Sequence, residues 1–323
     1  MAKVDVRLRA WGWVTRRMAP IATMSEEQLI AVQARGVPSN AMTNWILGTV
    51  PPGVEATDRT VPGPAGDIPV RVYRPAGPGA APADGRPLVV YFHGGGFVLG
   101  DLNMASWPAG SVAAGVGAIV VSVGYRLAPV HRFPAAVEDC YAALAWAAEH
   151  AAELGAGGPV GVMGESAGGT LAAVVCLIAK ERGGPQISHQ ALVYPAADLT
   201  DTEGMKSASP SSPFLSGPEM ERYNRLYLGP DGDASNPWAS PALAADHTGL
   251  PPALIQVAEH DPLRGTGRRY AQVLRDAGVP VRLTEYIGMT HGFVNFPGLT
   301  RTAHQAIAEA VAEQRAAFGL AEG

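Results

Sequence analysis

The period of the apolar positions changes several times along the chain, and those changes divide it. Residues 1 to about 50 carry apolar positions at helical spacing with no strand-like run. Within them Ser25-Glu26-Glu27-Gln28 ahead of Leu29, Ile30 and Val32 has the form of a capped helix start. Pro51-Pro52-Gly53 ends this region. The period then drops toward two: Val54 to Val61 and Ile68 to Arg74 alternate, with Pro62-Gly63-Pro64-Ala65-Gly66 between them, which predicts a hairpin or meander. Pro75 to Pro87, rich in Pro, Gly and Ala, predicts an exposed loop.

From Leu88 onward short continuous apolar runs alternate with helical patterns. Leu88-Val89-Val90-Tyr91-Phe92 and Ala118 to Val123 are strands of the kind buried on both faces, and Ala135 to Ala152 is a helix. Pro159 to Met163 is a strand, Thr170 to Lys180 a helix, and Ala191 to Tyr194 a strand. Between about Asp198 and Leu243 the alternation lapses, apart from one helical piece, Pro218 to Leu228. Strand Ala253–Ala258, helix Gly265–Ala277, strand Val281–Tyr286 and helix Thr302–Phe318 complete the chain. Repeated β-then-α order predicts an α/β fold with a mostly parallel central sheet flanked by helices.

Composition narrows the class. With 47% hydrophobic and 16% charged residues in 323, a large core is easily filled. A net charge of −5 offers nucleic acid no attraction, so no nucleic-acid partner is expected. Cys140 and Cys176 both lie in apolar helical patterns and read as small buried residues without a disulfide. The N-terminal segment carries Lys3, Arg7, Arg9, Arg16 and Arg17, but no apolar core of a signal peptide follows. No apolar run of about 18 residues occurs, so no spanning helix and no stable membrane anchoring are expected. For the Trp11/Trp13 segment a packed lid helix is favoured over a membrane-surface role, and the cytoplasm is the default location.

The chemistry centres on Gly164-Glu165-Ser166-Ala167-Gly168-Gly169. A strand before it and a helix after it make the arrangement of a nucleophile elbow, in which glycines two residues either side of the serine avoid clashes across a tight turn. Ser166 would stand at a helix N-terminus, where backbone N–H groups favour a developing oxyanion. A serine hydroxyl needs a base, and the base an orienting acid. Of the 8 histidines, His291 in Gly288-Met289-Thr290-His291-Gly292-Phe293 follows the last strand and is the leading base, with His260 next. Asp261 follows the strand Leu254 to Ala258 and is the leading acid, with Glu259 its rival. The order Ser166, Asp261, His291 is that of the α/β-hydrolases. His93-Gly94-Gly95-Gly96-Phe97 leaves backbone N–H groups open to a ligand. Gly95 and Gly96 are thus candidates, with Ala167, for an oxyanion hole, and His93 for a residue that ties the loop down. No G-K-[ST] follows the glycines, which argues against a phosphate cradle.

Together HGGGF at 93–97, YRLAP at 125–129, FPAAVED at 133–139, GESAGG at 164–169, DPLR at 261–264 and GMTHGF at 288–293 resemble the hormone-sensitive-lipase-like serine esterases, bacterial family IV type, of the α/β-hydrolase fold. The resemblance implies Ser166 as nucleophile, His291 as general base and acid, and Asp261 as orienting carboxylate. It implies a helical cap from residues 1–50 and about 199–243 on a core of 51–323. It also implies Glu165 as a supporting hydrogen-bond partner. Where many relatives carry acidic residues this chain has Gly265-Thr266, which puts the ion pairs at that helix start in doubt. The expected activity is hydrolysis of small, short- to medium-chain carboxylic esters, without cofactor or metal. Amide, lactone, carbamate or acyl-transfer substrates, or a non-catalytic receptor, remain as alternatives. Phe97, Trp45, Phe214, Leu215, Met289 and Phe293 are candidate pocket residues, and a homodimer is left open.

Overall fold

The structure, a computed structural model, describes residues 2–18, 21–76, 85–203 and 213–320. Most of the predicted loop at 75–87, and residues 204–212 of the irregular stretch, lie outside them. The strands are β1 (Val54–Val61), β2 (Ile68–Pro75), β3 (Leu88–Phe92), β4 (Ile119–Val123), β5 (Val160–Glu165), β6 (Ile187–Val193), β7 (Ala253–His260) and β8 (Val281–Thr290). Among the described residues they form one 8-stranded sheet in the order β1-β2-β4-β3-β5-β6-β7-β8. Only β2 runs antiparallel to its neighbours β1 and β4; every pair from β4 to β8 is parallel.

Pleating explains why the strand sequences are apolar throughout. Leu88, Val90 and Phe92 enter one core while Val89 and Tyr91 enter the other. The first core is covered by α5 (Ala135–Glu149), α7 (Ala167–Arg182) and α9 (Arg264–Asp276), the second by α4 (Ser106–Val116) and α10 (Arg301–Ala317). The predicted helix 135–152 is broken at His150, beyond which α6 (Ala151–Leu154) adds a single turn.

Helix α4 was not foreseen from the pattern. Its sequence SWPAGSVAAGV holds a proline and two internal glycines, poor helix material in isolation. Pro108 sits in the first turn, where its missing N–H costs nothing. Gly115 lets Val311 approach so closely that a Cβ there would lie 2.8 Å from its Cγ1. Close tertiary packing thus outweighs weak propensity.

The first 50 residues form α1 (Val6–Met18), α2 (Glu26–Arg35) and α3 (Ala41–Leu47). Ser25 and Gln28 make the reciprocal capping pair expected from the sequence. Helix α8 (Gly217–Leu228), capped by Ser216 and Glu219, lies against α1 and the segment after α1: Arg16 approaches Glu219 at 3.8 Å and Arg222 donates to the Met24 carbonyl at 3.2 Å. At the start of α9, Arg264 pairs with Glu285 at 2.5 Å and Arg268 joins the same carboxylate, so that helix start is ion-paired through its basic residues. No described helix is long and apolar enough to cross a membrane.

Candidate active site

Parallel strands deliver their C-terminal ends to one edge of the sheet, and that is where the candidate residues collect. Ser166 leaves β5 with φ 56° and ψ −121°, a conformation few side-chain-bearing residues adopt. The glycines around it make the turn feasible. A Cβ on Gly164 would lie 2.8 Å from the Phe92 carbonyl oxygen, and one on Gly168 would collide with that oxygen and lie 2.6 Å from the His93 oxygen. Held there, Ser166 Oγ lies 2.9 Å from His291 Nε2, and His291 Nδ1 lies 2.8 Å from Asp261 Oδ2. Asp261 is fixed in turn by accepting the Leu263 N–H at 2.8 Å. The rivals face elsewhere. Glu259 accepts the Gly288 and Ala2 N–H groups at 2.9 and 3.0 Å, and His260 Nε2 meets the Ala2 carbonyl at 2.7 Å.

The 93–97 loop passes directly beside Ser166. Gly95 and Gly96 have φ of 118° and 63°, open only to glycine at low cost. The N–H groups of Gly95, Gly96 and Ala167 have no acceptor among the described residues, and all three residues line the same cavity. His93 braces the loop: it is buried, its ring stacks on Tyr125 at 4.3 Å, and its Nδ1 lies 2.8 Å from the Gly94 carbonyl. Burial pushes its pKa down and so favours the neutral ring. Tyr125 donates to the His93 carbonyl at 2.7 Å, and the next residue, Arg126, clasps buried Asp139 through two bonds of 2.7 and 2.8 Å. The YRLAP and FPAAVED stretches therefore buttress the glycine loop.

Glu165 is wholly buried beside the serine. Tyr91 donates to one carboxyl oxygen and the Gly94 N–H to the other at 2.8 Å, with Asn295 adding a further side-chain bond. Burial raises its pKa to about 7, against the pull of those donors. One carboxyl group thus ties the glycine loop to the segment that follows His291.

Ser166 and His291 open into a cavity of about 180 Å³. Of the candidate pocket residues Phe97, Phe214 and Leu215 line it. Trp45 does not; it is 61% exposed on α3. Met289 and Phe293 are buried in the core on the α4/α10 side of the sheet, where Phe293 packs against Tyr194 at 5.8 Å between ring centroids. Several lining residues went unnoticed in the sequence, among them Met220, Tyr223 and Asn224 of α8. With Tyr227, which stacks on Phe97 at 3.8 Å, they follow an i, i+3, i+4, i+7 face that was there to be read. Tyr223 covers Gly96 so closely that a Cβ on Gly96 would lie 2.6 Å from the Tyr223 Cγ. Tyr194, whose ring stands 4.8 Å from that of His291, carried no such signal.

A hydrogen-bonded Ser-His-Asp row at the C-terminal edge of a parallel sheet, beside a glycine loop, is the layout of the α/β hydrolases. The family profile described as the alpha/beta hydrolase fold (Abhydrolase_3) matches residues 89–295, and the chain belongs to that family. It is 42% identical over 260 residues to esterase LipI of Mycobacterium tuberculosis, covering 80% of each chain. It is 34% identical to an ethyl acetate hydrolase of Pseudomonas putida, over 74% of this chain and 76% of that one. The hyperthermophilic esterase of Pyrobaculum calidifontis superposes with a TM-score of 0.82 at 36% identity, over 96% of this chain and 97% of that one.

Proposed function

We propose that this chain hydrolyses small carboxylic esters of short to medium acyl chain through an acyl-Ser166 intermediate. The observation that carries the reading is the continuous row Asp261–His291–Ser166, with contacts of 2.8 and 2.9 Å, ending in an apolar cavity beside three backbone N–H groups with no acceptor among the described residues. Ser166 Oγ attacks the ester carbonyl carbon as His291 Nε2 takes its proton. The carbonyl oxygen becomes the oxyanion held by Gly95, Gly96 and Ala167. His291 then gives the proton to the departing alkoxide, which leaves as the alcohol. Water, deprotonated by the same nitrogen, attacks the acyl carbon; as the bond to Ser166 Oγ breaks, His291 returns that proton to Oγ and the carboxylic acid leaves. Asp261 holds the ring in the useful tautomer and stabilises the imidazolium. Each oxyanion donor contributes about 3 kcal/mol to the transition state.

The 180 Å³ cavity lies below the common range of ligand sites, about 300–1,000 Å³, which supports short acyl chains. Residues 1–50 and 199–243 serve as the lid. Tyr223 over Gly96, Phe214 and Leu215 in the cavity wall, and the Arg222 bond to Met24 support that role. The free, buried thiols of Cys140 and Cys176 favour a cytoplasmic location. A series of chromogenic esters of increasing acyl length tests the reading: turnover peaks between acetate and hexanoate and falls steeply beyond. Ser166→Ala keeps the fold and loses about four to six orders of magnitude in kcat. Retention of the rate in that variant overturns the assignment.

A further inference from the structure

Helix α1 turns the wrong residues outward for a helix that meets only water. Its inner side is well packed: Leu8 is buried, and a Cβ on Gly12 would come within 2.5 Å of the Pro213 Cβ. Its outer side exposes Val6 at 66% and Trp13 at 59%. At about 100° per residue Val6, Ala10, Trp13 and Arg17 lie along one outward stripe. Arg7 and Arg9 flank it, both exposed, and the Arg17 guanidinium rests 3.6 Å above the Trp13 ring. The apolar area continues onto β8, where Ile287 is 61% exposed and the neighbouring Gly288 carbonyl accepts the Asp5 N–H at 3.1 Å.

The charge here opposes that of the whole. The chain carries −5, yet Lys3, Arg7, Arg9, Arg16 and Arg17 are answered in the first 17 residues by Asp5 alone. The Asp5 carboxylate accepts the Arg7 and Leu8 N–H groups at 2.9 and 3.2 Å, as the cap of the helix. Arg16 faces inward to Glu219, which leaves Arg7, Arg9 and Arg17 around the exposed tryptophan. Val6, Ala10 and Trp13 line a shallow groove between α1 and Pro213, and an apolar strip of this kind, rimmed by arginines, matches a surface that is oily beneath and anionic at its face.

We propose that the outward face of α1 docks reversibly on an anionic lipid surface. Trp13 and Val6 enter the boundary between headgroups and acyl chains, and Arg7, Arg9 and Arg17 meet lipid phosphates. The contact leads to the cavity: α1 packs on Pro213, and the next residue, Phe214, lines the wall. Docking therefore sets the cavity rim beside esters dissolved in the lipid. The docking itself stands apart from the hydrolytic reading, because it uses none of the residues around Ser166.

Sedimentation with vesicles of phosphatidylcholine, alone or mixed with phosphatidylglycerol, tests it. The full chain binds the mixed vesicles, leaves the neutral ones in solution, and is released at about 1 M salt, where the Debye length falls to about 3 Å. At roughly fivefold per arginine, the triple variant Arg7→Gln, Arg9→Gln, Arg17→Gln binds about a hundredfold more weakly. Trp13→Ser weakens binding as well, and both variants hydrolyse a water-soluble ester at the parent rate, which reports an intact fold. Equal binding to both vesicle types, no binding to either, or unchanged binding by the triple variant overturns the proposal. So does binding to a soluble polyanion such as RNA without binding to vesicles.

Discussion

Replacing Glu165 with Gln separates two consequences of one buried carboxyl group. In the parent the group has a pKa near 7 instead of 4.5, because burial disfavours the charge more than its donors relieve it. Folding therefore takes up a proton between those values. Stability from this group is fully present below pH 4.5 and is lost as pH rises through 7, since the unfolded chain binds fewer protons in that window. A shift of this size corresponds to about 3 kcal/mol. Gln cannot titrate, and it reproduces the protonated form: its oxygen accepts the Gly94 N–H and its amide donates to Tyr91. Denaturant unfolding from pH 4 to 8 then shows the parent losing about 3 kcal/mol relative to the variant. In turnover, the ionised carboxylate holds Gly94 by a charge-assisted bond that Gln replaces with a neutral one, a difference of about 1 kcal/mol. The variant therefore loses about fivefold in kcat at pH 8 and little at pH 6. Parallel stability curves across that range would refute the reasoning, because the carboxyl group would then titrate alike in the folded and unfolded chain.

Two further predictions concern the frame. Gly168→Ala puts a Cβ against the Phe92 and His93 carbonyls, so the elbow must move away from β3; about a hundredfold loss in kcat is expected with about 1–3 kcal/mol of destabilisation in urea. A parent-like rate would show that the turn has more room than these contacts allow. Arg126→Met strands Asp139, 1% exposed, without its cation and costs about 3 kcal/mol, read from the urea midpoint. A change below about 1 kcal/mol would mean that the Arg126 N–H bond at 3.0 Å suffices to hold the carboxylate.

Much of the site could be read locally because each part is encoded over a few residues. The tight turn demands Gly164 and Gly168, the loop after β3 demands glycines at positive φ, and strand-to-loop boundaries set Asp261 and His291 at one edge. Helix α4 escaped notice because its stability comes from close packing of Gly110 and Gly115 against Pro51 and Val311, which no local pattern records. Trp45, a candidate pocket residue, lies on a helix that turns Ile46 inward and leaves Trp45 outside.

By itself the sequence determined the order of the strands and of most helices, the elbow, and the family, since apolar period and turn chemistry act between near neighbours in the chain. Chain order and resemblance put Asp261 ahead of Glu259, two residues apart, but only the tertiary structure gives the physical reason: the register shift between Ala258 and His260 and the N-terminal segment from Ala2 turn Glu259 away and Asp261 toward His291. It likewise decided that Glu165 should join three segments, and that of two tryptophans two residues apart on α1 Trp11 should face the core and Trp13 the exterior. Period says that a helix has two faces; what the rest of the chain packs against says which one is buried.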